Sequence, residues 1–355
     1  VDPQPRESLR LGRVPTVVMT TAHDAEEVYR EAREAGVEWF LMKPVSQSSL
    51  VDTVMNVCGR SGRTEAAPTP RDTDPMEVVR PIRGARILLA EDNEMNQQVA
   101  MELLGEAGLR VTLAVDGKQA VQLMRPDFHA VLMDVQMPNM DGYEATRLIR
   151  QNPAFAGIPV IAMTANAMAQ DRQLAREAGM ADHVAKPIDP AELFRKLAQH
   201  VKPDPAKPFD ELPEAASPAK ALHAVVELPE SLPGVDIADG LGHLAGNRAA
   251  YRRLLLQFPR RQGGTADSIR ALVEKGDTAE AMRLAHSLKS VAGNLGARKL
   301  SEASREVEYA LRDGREAGTE IEVLGRALAE VVEGLQRWEH TLGEQPQGAR
   351  AAVDP

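Results

Sequence analysis

The chain has 355 residues, of which 43% are hydrophobic, and this is enough apolar material for two or three globular domains. Its 42 Lys and Arg against 52 Asp and Glu give a net charge of −10, so the basic footprint of a nucleic-acid-binding protein is missing and we expect no nucleic-acid partner. The single cysteine, Cys58, excludes an internal disulfide, and no apolar run reaches the roughly 18–20 residues that cross a bilayer, so we expect a cytoplasmic fragment without membrane contact.

Residues 1–60 repeat part of a segment that lies further along the chain. Shifting EAREAGVEWFLMKPV (31–45) by 143 positions overlays it on LAREAGMADHVAKPI (174–188), which indicates an internal duplication. The same shift places the counterpart of Asp134 upstream of Val1. We therefore expect residues 1–60 to be the rear half of a duplicated domain.

Two stretches are rich in proline, small and charged residues and lack apolar periodicity, which is typical of linkers. They span about 61–83 and 203–234, and the second contains seven prolines. A flexible chain of that length spans roughly 30 Å, so tethered domains would meet at an effective concentration on the order of millimolar. The predicted organisation is a partial domain, two full domains and a disordered tail, at 1–60, 84–202, 235–341 and 342–355.

Segment 84–202 alternates short apolar runs with amphipathic stretches, as a parallel α/β domain does. Runs that are apolar at nearly every position are typical of strands covered by helices on both faces. The five predicted strands are RILLA (86–90), RVTLA (110–114), HAVLM (129–133), PVIAMT (159–164) and DHVAK (182–186). We expect a five-stranded parallel sheet whose ligand site lies beyond the carboxyl ends of the strands.

Polar side chains stand where the predicted strands end, at Glu91, Asp92, Asp134, Thr164 and Lys186. Carboxylates offer the oxygen ligands that Mg²⁺ prefers, and an aspartate can also become an acyl phosphate. Phosphoryl transfer depends mainly on positioning and on neutralising charge, which a metal ion and an ammonium supply. Taken singly, each residue has another interpretation, since an acidic pair can cap a helix and a Lys-Pro pair can end a strand. Together they predict a phosphoryl-accepting site.

With MPNMDG (137–142), these residues resemble the response-regulator receiver domain of two-component signalling, over most of segment 84–202. The resemblance implies a flavodoxin-like fold and phosphorylation of Asp134. It also implies a switch hydroxyl at Thr164 and a phosphate-pairing ammonium at Lys186. The Mg²⁺ ligands that it implies are Glu91, Asp92, Asp134 and the backbone carbonyl of Gln136.

His183 departs from the family's pattern. The family usually has Tyr or Phe three residues before the lysine, and in the repeat at 1–60 the matching position is Phe40. Three interpretations stay open for His183. It is a polar switch, or it marks a rigid output face that serves only phosphotransfer, or it is a solvent-facing histidine without a role.

From 235 to 341 the pattern is helical throughout, with polar turns between amphipathic stretches. The predicted helices are a short one at the start and longer ones at about 248–260, 264–275, 278–293, 297–312 and 319–341. We expect an all-α helical bundle.

His286 stands out on the fourth of these helices. At about 100° per residue, its helix carries Leu288, Val291 and other apolar residues diametrically opposite His286, which predicts an exposed histidine and not a core one. Imidazole is nucleophilic near neutral pH in its neutral form. On the same face, Lys289 would steady phosphoryl charge, Gly293 would let a partner come close, and Ser290 would hydrogen-bond within the patch.

AHSLKSVAGNLGA (285–297) resembles the phosphohistidine-bearing helix of histidine phosphotransfer (HPt) domains. The resemblance implies that His286 is phosphorylated, that Lys289 is its electrostatic partner and that Gly293 lies on the docking surface. Such domains carry phosphoryl groups without binding ATP, and no nucleotide-binding box of a kinase is recognisable in this chain.

The order of partial receiver, receiver and HPt domain resembles the carboxyl-terminal part of a bacterial hybrid sensor histidine kinase. The resemblance implies a relay from a kinase core, expected upstream in the same polypeptide, to Asp134, then to His286 and then to a downstream response regulator. The parent protein could be anchored to the inner membrane. Two alternatives stay open: a phosphorylation-gated binding module, and a phosphate sink without forward transfer. A DNA-binding regulator is disfavoured by the acidic charge and the lack of a helix-turn-helix.

Overall fold

The computed structural model divides the chain into two compact units, Val1–Asp72 and Thr73–Pro355. It describes residues 17–20, 39–42, 75–165, 169–202 and 226–344. In the first unit, β1 (Val17–Thr20) and β2 (Trp39–Met42) pair in parallel, with Val17 opposite Trp39. The remaining predictions for 1–60, most of both linkers, and the tail from 345 onward lie outside the described residues.

A five-stranded parallel sheet forms the centre of the α/β domain in the second unit. Its strands are β3 (Arg86–Ala90), β4 (Arg110–Ala114), β5 (Ala130–Asp134), β6 (Val160–Thr164) and β7 (Asp182–Ala185). They lie in the order β4-β3-β5-β6-β7. The predicted flavodoxin-like sheet is therefore confirmed, with strand bounds within one residue of the sequence-based ones.

The apolar strands are buried on both faces of this sheet. On β3, Ile87 and Leu89 belong to one core cluster, whereas Leu88 and Ala90 belong to the other. Because successive side chains of a strand point to opposite faces, a strand that is covered twice must be apolar at every position. This requirement produces the unbroken run RILLA.

Helices cover the sheet: α2 (Glu94–Glu106), α3 (Gly117–Leu123), α4 (Gly142–Gln151), α5 (Ala169–Glu177) and α6 (Pro190–His200). Each begins near a carboxyl end of a strand. Asn93 caps α2 by accepting from the backbone N–H groups of Met95 and Asn96, and Asp189 caps α6 in the same way.

Gly142 begins α4, directly after the turn that follows β5. A Cβ at this position would lie 2.2 Å from the backbone oxygen of Asp134. The Gly142 N–H donates to the carbonyl of Val135 at 3.0 Å, so the turn after β5 folds back tightly on the strand. Only a residue without a side chain fits this approach.

The helical domain consists of α7 (Ile237–Gly242), α8 (Arg248–Gln262), α9 (Thr265–Glu274), α10 (Thr278–Leu295), α11 (Arg298–Arg312) and α12 (Gly318–Glu344). Asp277 caps the start of α10, and Gly296 ends it with a φ of 81°. Leu288, Val291 and Leu295 are fully buried, as the helical-wheel prediction requires. Within the described part of the chain, no helix is both long and apolar enough to cross a membrane.

The edges of the predicted linkers are more structured than the sequence indicated. α1 (Pro75–Val79) and a short 3₁₀ turn (Arg80–Ile82) pack into the core, where Val79 and Ile82 are buried. Leu232 is also buried and forms an isolated bridge with Val235. The linker predictions were wrong at these edges because isolated apolar residues beside prolines give no periodic signal. At the other end, α12 continues to Glu344, past the predicted start of the tail.

Candidate functional site

Three carboxylates meet at the carboxyl edge of the sheet. Glu91 and Asp92 follow β3, Asp134 ends β5, and one oxygen from each lies within 4.8 Å of the others. Glu91 and Asp134 are buried, and Asp92 is half-buried. The parallel register explains this meeting, because β3 and β5 are hydrogen-bonded neighbours with Ala90 opposite Met133.

Lys186 neutralises part of this negative charge. Its Nζ lies 2.5 Å from Glu91 Oε2 and 2.7 Å from Asp134 Oδ2. Burial alone would lower the pKa of Lys186, but the two carboxylates outweigh burial and raise the pKa, so the ammonium stays charged. Burial raises the pKa of Asp134 to about 7, with Lys186 opposing the change and Glu91 adding to it.

The oxygen donors of this cluster fit a hard divalent cation. Carboxylate oxygens within a few ångströms of one another are the ligands that Mg²⁺ takes in proteins. Burial is also the main cause of a raised pKa at Asp92, followed by the charge of Glu91, and a cation would relieve both effects. Gln136 lines the same pocket, and its backbone N–H donates to Asp134 Oδ1 at 3.2 Å.

Thr164 and His183 have different positions relative to the carboxylates. Thr164 is buried at the end of β6, beside β5, and its carbonyl accepts from the N–H of Lys186 at 2.8 Å. His183 lies inside β7 and is half-buried, with its Nδ1 3.6 Å from Asp182 Oδ1. Burial and then the charge of Lys196 lower the pKa of His183.

His286 is held by two charged residues of its own domain. Its Nδ1 lies 3.1 Å from Glu308 Oε1, and Lys289 Nζ donates to Glu308 Oε2 at 2.5 Å. Burial alone would raise the pKa of Glu308, but the hydrogen bond with His286, the positive charge that His286 carries at low pH and the charge of Lys289 lower the pKa to about 2. Glu308 is therefore an ionised carboxylate, which can only accept hydrogen bonds.

This carboxylate fixes the tautomer of His286. Because Glu308 only accepts, Nδ1 must carry the proton and donate it. Burial lowers the pKa of His286, against the hydrogen bond to Glu308, so the ring is neutral near pH 7. A neutral ring protonated at Nδ1 has its lone pair on Nε2, and Nε2 is then the nucleophilic atom.

The prediction that His286 is exposed was wrong. His286 is only 7% exposed, and Lys289, Ser290 and Gly293 are buried as well. The helical wheel identified the side of α10 that faces its own bundle, but the α/β domain and Glu308 cover the other side. A Cβ on Gly293 would lie 3.2 Å from Pro187 Cγ of the α/β domain. The hydroxyl of Ser290 makes no hydrogen bond within the described chain, contrary to the expected bond within the patch.

A small pocket of about 10 Å³ brings the two predicted phosphorylation sites together. Residues of both domains line it: Glu91, Asp92, Asn96, Asp134, Gln136, Lys186, Arg283, His286, Ser287 and Ser290. The carboxylate edge of the sheet and the histidine face of α10 therefore line the same pocket.

Direct contacts join the domains around this pocket. Arg283 NH1 lies 3.0 Å from Asp92 Oδ2, and Asn93 Nδ2 donates to Ser287 Oγ at 2.7 Å. Deeper inside, Asn294 Nδ2 donates to Asn96 Oδ1 at 3.0 Å. The amide of Asn96 also donates to Glu91 Oε1 at 3.0 Å, which links α10 to the carboxylate cluster.

Sequence reasoning missed these contact residues and Glu308. One signal was available for Glu308, because it lies four residues after Ser304 and three before Leu311, both buried, and therefore on the buried face of α11. For Arg283 and the asparagines no signal existed within either domain, since their partners lie on the other domain.

Comparison with known proteins agrees with the two-domain arrangement. The family model of the response regulator receiver domain matches residues 87–198, and that of the Hpt domain matches residues 253–338. The chain contains a receiver domain and an HPt domain.

Curated relatives of this receiver–HPt chain include histidine kinases. A hybrid signal transduction histidine kinase I from Dictyostelium discoideum is 43% identical over 120 residues, which cover 32% of this chain and 7% of that protein. The signal transduction histidine-protein kinase BarA from Escherichia coli K12 is 32% identical over 169 residues, which cover 47% of this chain and 17% of that protein. The chain thus spans less than a fifth of the length of either relative.

Among solved structures, the receiver domain of a sensor histidine kinase from Pseudomonas aeruginosa PAO1 is similar to part of this chain. It is 46% identical, with a TM-score of 0.31, and the match covers 33% of this chain and 98% of that domain. That structure has a magnesium ion coordinated in its active-site cleft.

Proposed function

We propose that this receiver–HPt chain carries a phosphoryl group from Asp134 to His286 and then to a separate response regulator. The shared pocket is the observation that carries the proposal, because it encloses both residues together with Lys186. The donor at Asp134 is a phosphohistidine of a kinase core, which we place in the same parent polypeptide on the strength of the histidine kinase relatives.

Each step conserves atoms and charge. A carboxylate oxygen of Asp134 attacks the phosphorus of the kinase phosphohistidine, a P–O bond forms to give an acyl phosphate, and the N–P bond breaks with its electron pair left on the histidine nitrogen. Nε2 of His286 then attacks that phosphorus with its lone pair, an N–P bond forms, and the P–O bond to Asp134 breaks with its electron pair left on the carboxylate. The proton on Nδ1 stays in its hydrogen bond with Glu308.

The receiver side supplies positive charge for this transfer. Lys186 pairs with an oxygen of the phosphoryl group, and the hydroxyl of Thr164 hydrogen-bonds to another. Mg²⁺, when bound, supplies the largest charge at the transferring oxygens. Its ligands in this chain would be Glu91, Asp92, Asp134 and the backbone carbonyl of Gln136.

The HPt side supplies the nucleophile and its orientation. Glu308 fixes the ring of His286, and Lys289 holds Glu308 ionised. Ser290 lines the pocket with an unpaired hydroxyl, so we assign it as a donor to the moving phosphoryl oxygens. Gly293 allows the backbone of α10 to approach the receiver. For His183, we favour a rigid output face over a switch, because Asp182 lies beside its ring and Lys196 donates to its backbone carbonyl.

The test uses labelled acetyl phosphate as a small phosphodonor for the whole chain, with Mg²⁺ present. We expect label to appear first as an acyl phosphate and then as phosphohistidine, which acid and base treatment distinguish. Asp134→Asn should lose both signals, whereas His286→Gln should keep the acyl phosphate alone. If the charged chain never labels His286, the relay is wrong and a phosphorylation-gated binding module becomes the better explanation.

A further inference from the structure

Two facing helices of the receiver–HPt interface carry opposite charge. α2 of the receiver contains three glutamates and no basic residue, whereas α8 of the HPt domain contains five arginines and no acidic residue. Every glutamate of α2 contacts α8 or the residue that caps it. We call these three contacts the charge ladder: Glu94 with Arg261, Glu102 with Arg253, and Glu106 with Asn247.

The ladder runs antiparallel along most of both helices. From Glu94 to Glu106 the chain rises about 18 Å at 1.5 Å per residue, while the partners on the HPt domain run in the reverse direction. A slip of one helical turn would separate the paired charges by about 5 Å. The ladder therefore favours a single register between the two helices.

The ladder lies at the rim of the interface. The side chains of Arg253 and Glu102 are 47% and 30% exposed, and those of Arg261 and Glu94 are 47% and 65% exposed. Exposed ion pairs add little affinity, but charges at a rim steer encounter and penalise partners of the wrong sign. The deeper contacts are two neutral pairs, Asn93 with Ser287 and Asn96 with Asn294, and one ion pair, Arg283 with Asp92. Asp92 belongs to the predicted metal site, which every phosphorylated receiver needs, so discrimination between receivers by charge rests mainly with the ladder.

Any receiver that exchanges a phosphoryl group with His286 must use the same face. Glu308 occupies the Nδ1 side of the ring, and the core stripe of α10 faces the bundle. Access to Nε2 is left on the side that the receiver covers, beside α8. An incoming receiver therefore meets Arg253 and Arg261.

Building on the proposed function, we propose that α8 selects receiver domains by charge, and that the response regulator served by His286 has a first helix with carboxylates spaced like Glu94, Glu102 and Glu106. In that exchange the N–P bond at Nε2 breaks, its electron pair stays on the nitrogen, and a P–O bond forms to a carboxylate of the incoming receiver. The receiver of this chain competes for the same surface.

The experiment uses two versions of the whole chain, and in each version the charges of α2 are opposite to those of α8. One has the native ladder, and the other has it reversed by Glu94→Arg, Glu102→Arg, Arg253→Glu and Arg261→Glu. Donor copies also carry His286→Gln and are labelled at Asp134 with acetyl phosphate. Acceptor copies also carry Asp134→Asn. Because each copy is internally matched, competition from its own receiver is equal in all mixtures, and melting curves check that the reversed version folds.

We expect native donors to label native acceptors, and reversed donors to label reversed acceptors, at similar rates. Both mixed pairs should be slower by roughly tenfold in low salt, because like charges then face each other. The difference should shrink at 0.5 M NaCl, where screening is stronger than at 0.1 M. Arg260→Glu in the acceptor is the matched control, because Arg260 adjoins Arg261 but pairs with Glu339 of its own bundle. That variant should transfer at the native rate.

Equal transfer rates in all four mixtures would overturn the selection of receivers by charge, while leaving the relay intact. If even the native pair does not transfer, the relay itself fails. In that case, dissociation constants measured by calorimetry between the same copies still test whether α8 selects receivers by charge. Selection by charge requires weaker binding in the mixed pairs than in the matched pairs.

Discussion

Removing the Glu308 carboxylate tests the histidine side of the site most directly. Inside the bundle, Glu308 accepts hydrogen bonds from His286 Nδ1 at 3.1 Å and from Lys289 Nζ at 2.5 Å. Its pKa falls from 4.5 to about 2 in the folded protein. At about 1.4 kcal/mol per unit, the ionised form contributes about 3 kcal/mol to the free energy of unfolding. Because the pKa is depressed, this stability is complete above about pH 4.5 and is lost as the pH falls toward 2.

Glu308→Ala should therefore cost about 3–5 kcal/mol, since it leaves the Lys289 ammonium buried without its partner. Glu308→Gln should cost less, because an amide oxygen can still accept from Nδ1. Urea denaturation at pH 7 measures both losses. Glu306→Ala is the matched control on the same helix, because its side chain is 53% exposed and pairs only with Arg305 in the described chain. It should stay within about 0.5 kcal/mol of the native chain.

Transfer to His286 should fall in the same order, by about a hundredfold for Glu308→Ala and less for Glu308→Gln, because a ring without its anchor loses orientation and tautomer. Nitrogen NMR of the labelled ring reports the tautomer directly. A native-like Nδ1–H tautomer and a native transfer rate in Glu308→Ala, despite normal folding, would refute this account of the histidine.

Three further predictions concern the receiver and the pocket. Gly142→Ala should destabilise the receiver by roughly 2–4 kcal/mol in thermal or urea unfolding, because its Cβ meets the Asp134 carbonyl, whereas Gly157→Ala, with open space around it, should be nearly neutral. EDTA should abolish labelling of Asp134 by acetyl phosphate and Mg²⁺ should restore it; undiminished labelling in EDTA would exclude the metal. Ser290→Ala should raise the free energy of unfolding by about 1 kcal/mol, since it removes an unpaired buried hydroxyl, and yet slow transfer to His286; a native transfer rate would contradict its assigned role.

The receiver fold could be predicted from sequence because its strands are buried twice. Double burial forces runs such as RILLA to be apolar throughout, and parallel pairing then aligns their carboxyl ends. Glu91, Asp134 and Lys186 were placed at one edge by that reasoning alone. Their direct pairing in the structure follows from the strand order.

The pairing between domains could not be predicted in this way. Periodicity along α10 separates the side facing its own core from the opposite side, but it cannot tell water from a second domain. His286 was therefore expected in solvent, but it lies in a pocket that is also lined by residues nearly 200 positions away, such as Asn96. The charges of α2 and α8 were readable in the sequence, but their pairing requires the docked geometry.

Burial of both phosphoryl carriers, Asp134 and His286, limits the overall rate of the proposed relay. With Asp134 3% exposed and His286 7% exposed, neither residue is open to another protein while the two domains are docked. In the proposed relay, the internal transfer needs the closed arrangement, whereas loading by a kinase and unloading to a regulator both need the open one. Tighter docking would therefore speed the middle step and delay the first and last. We therefore expect the fastest relay when the docked and separated arrangements have similar populations. An interface with exposed charges and neutral amides favours such short-lived docking.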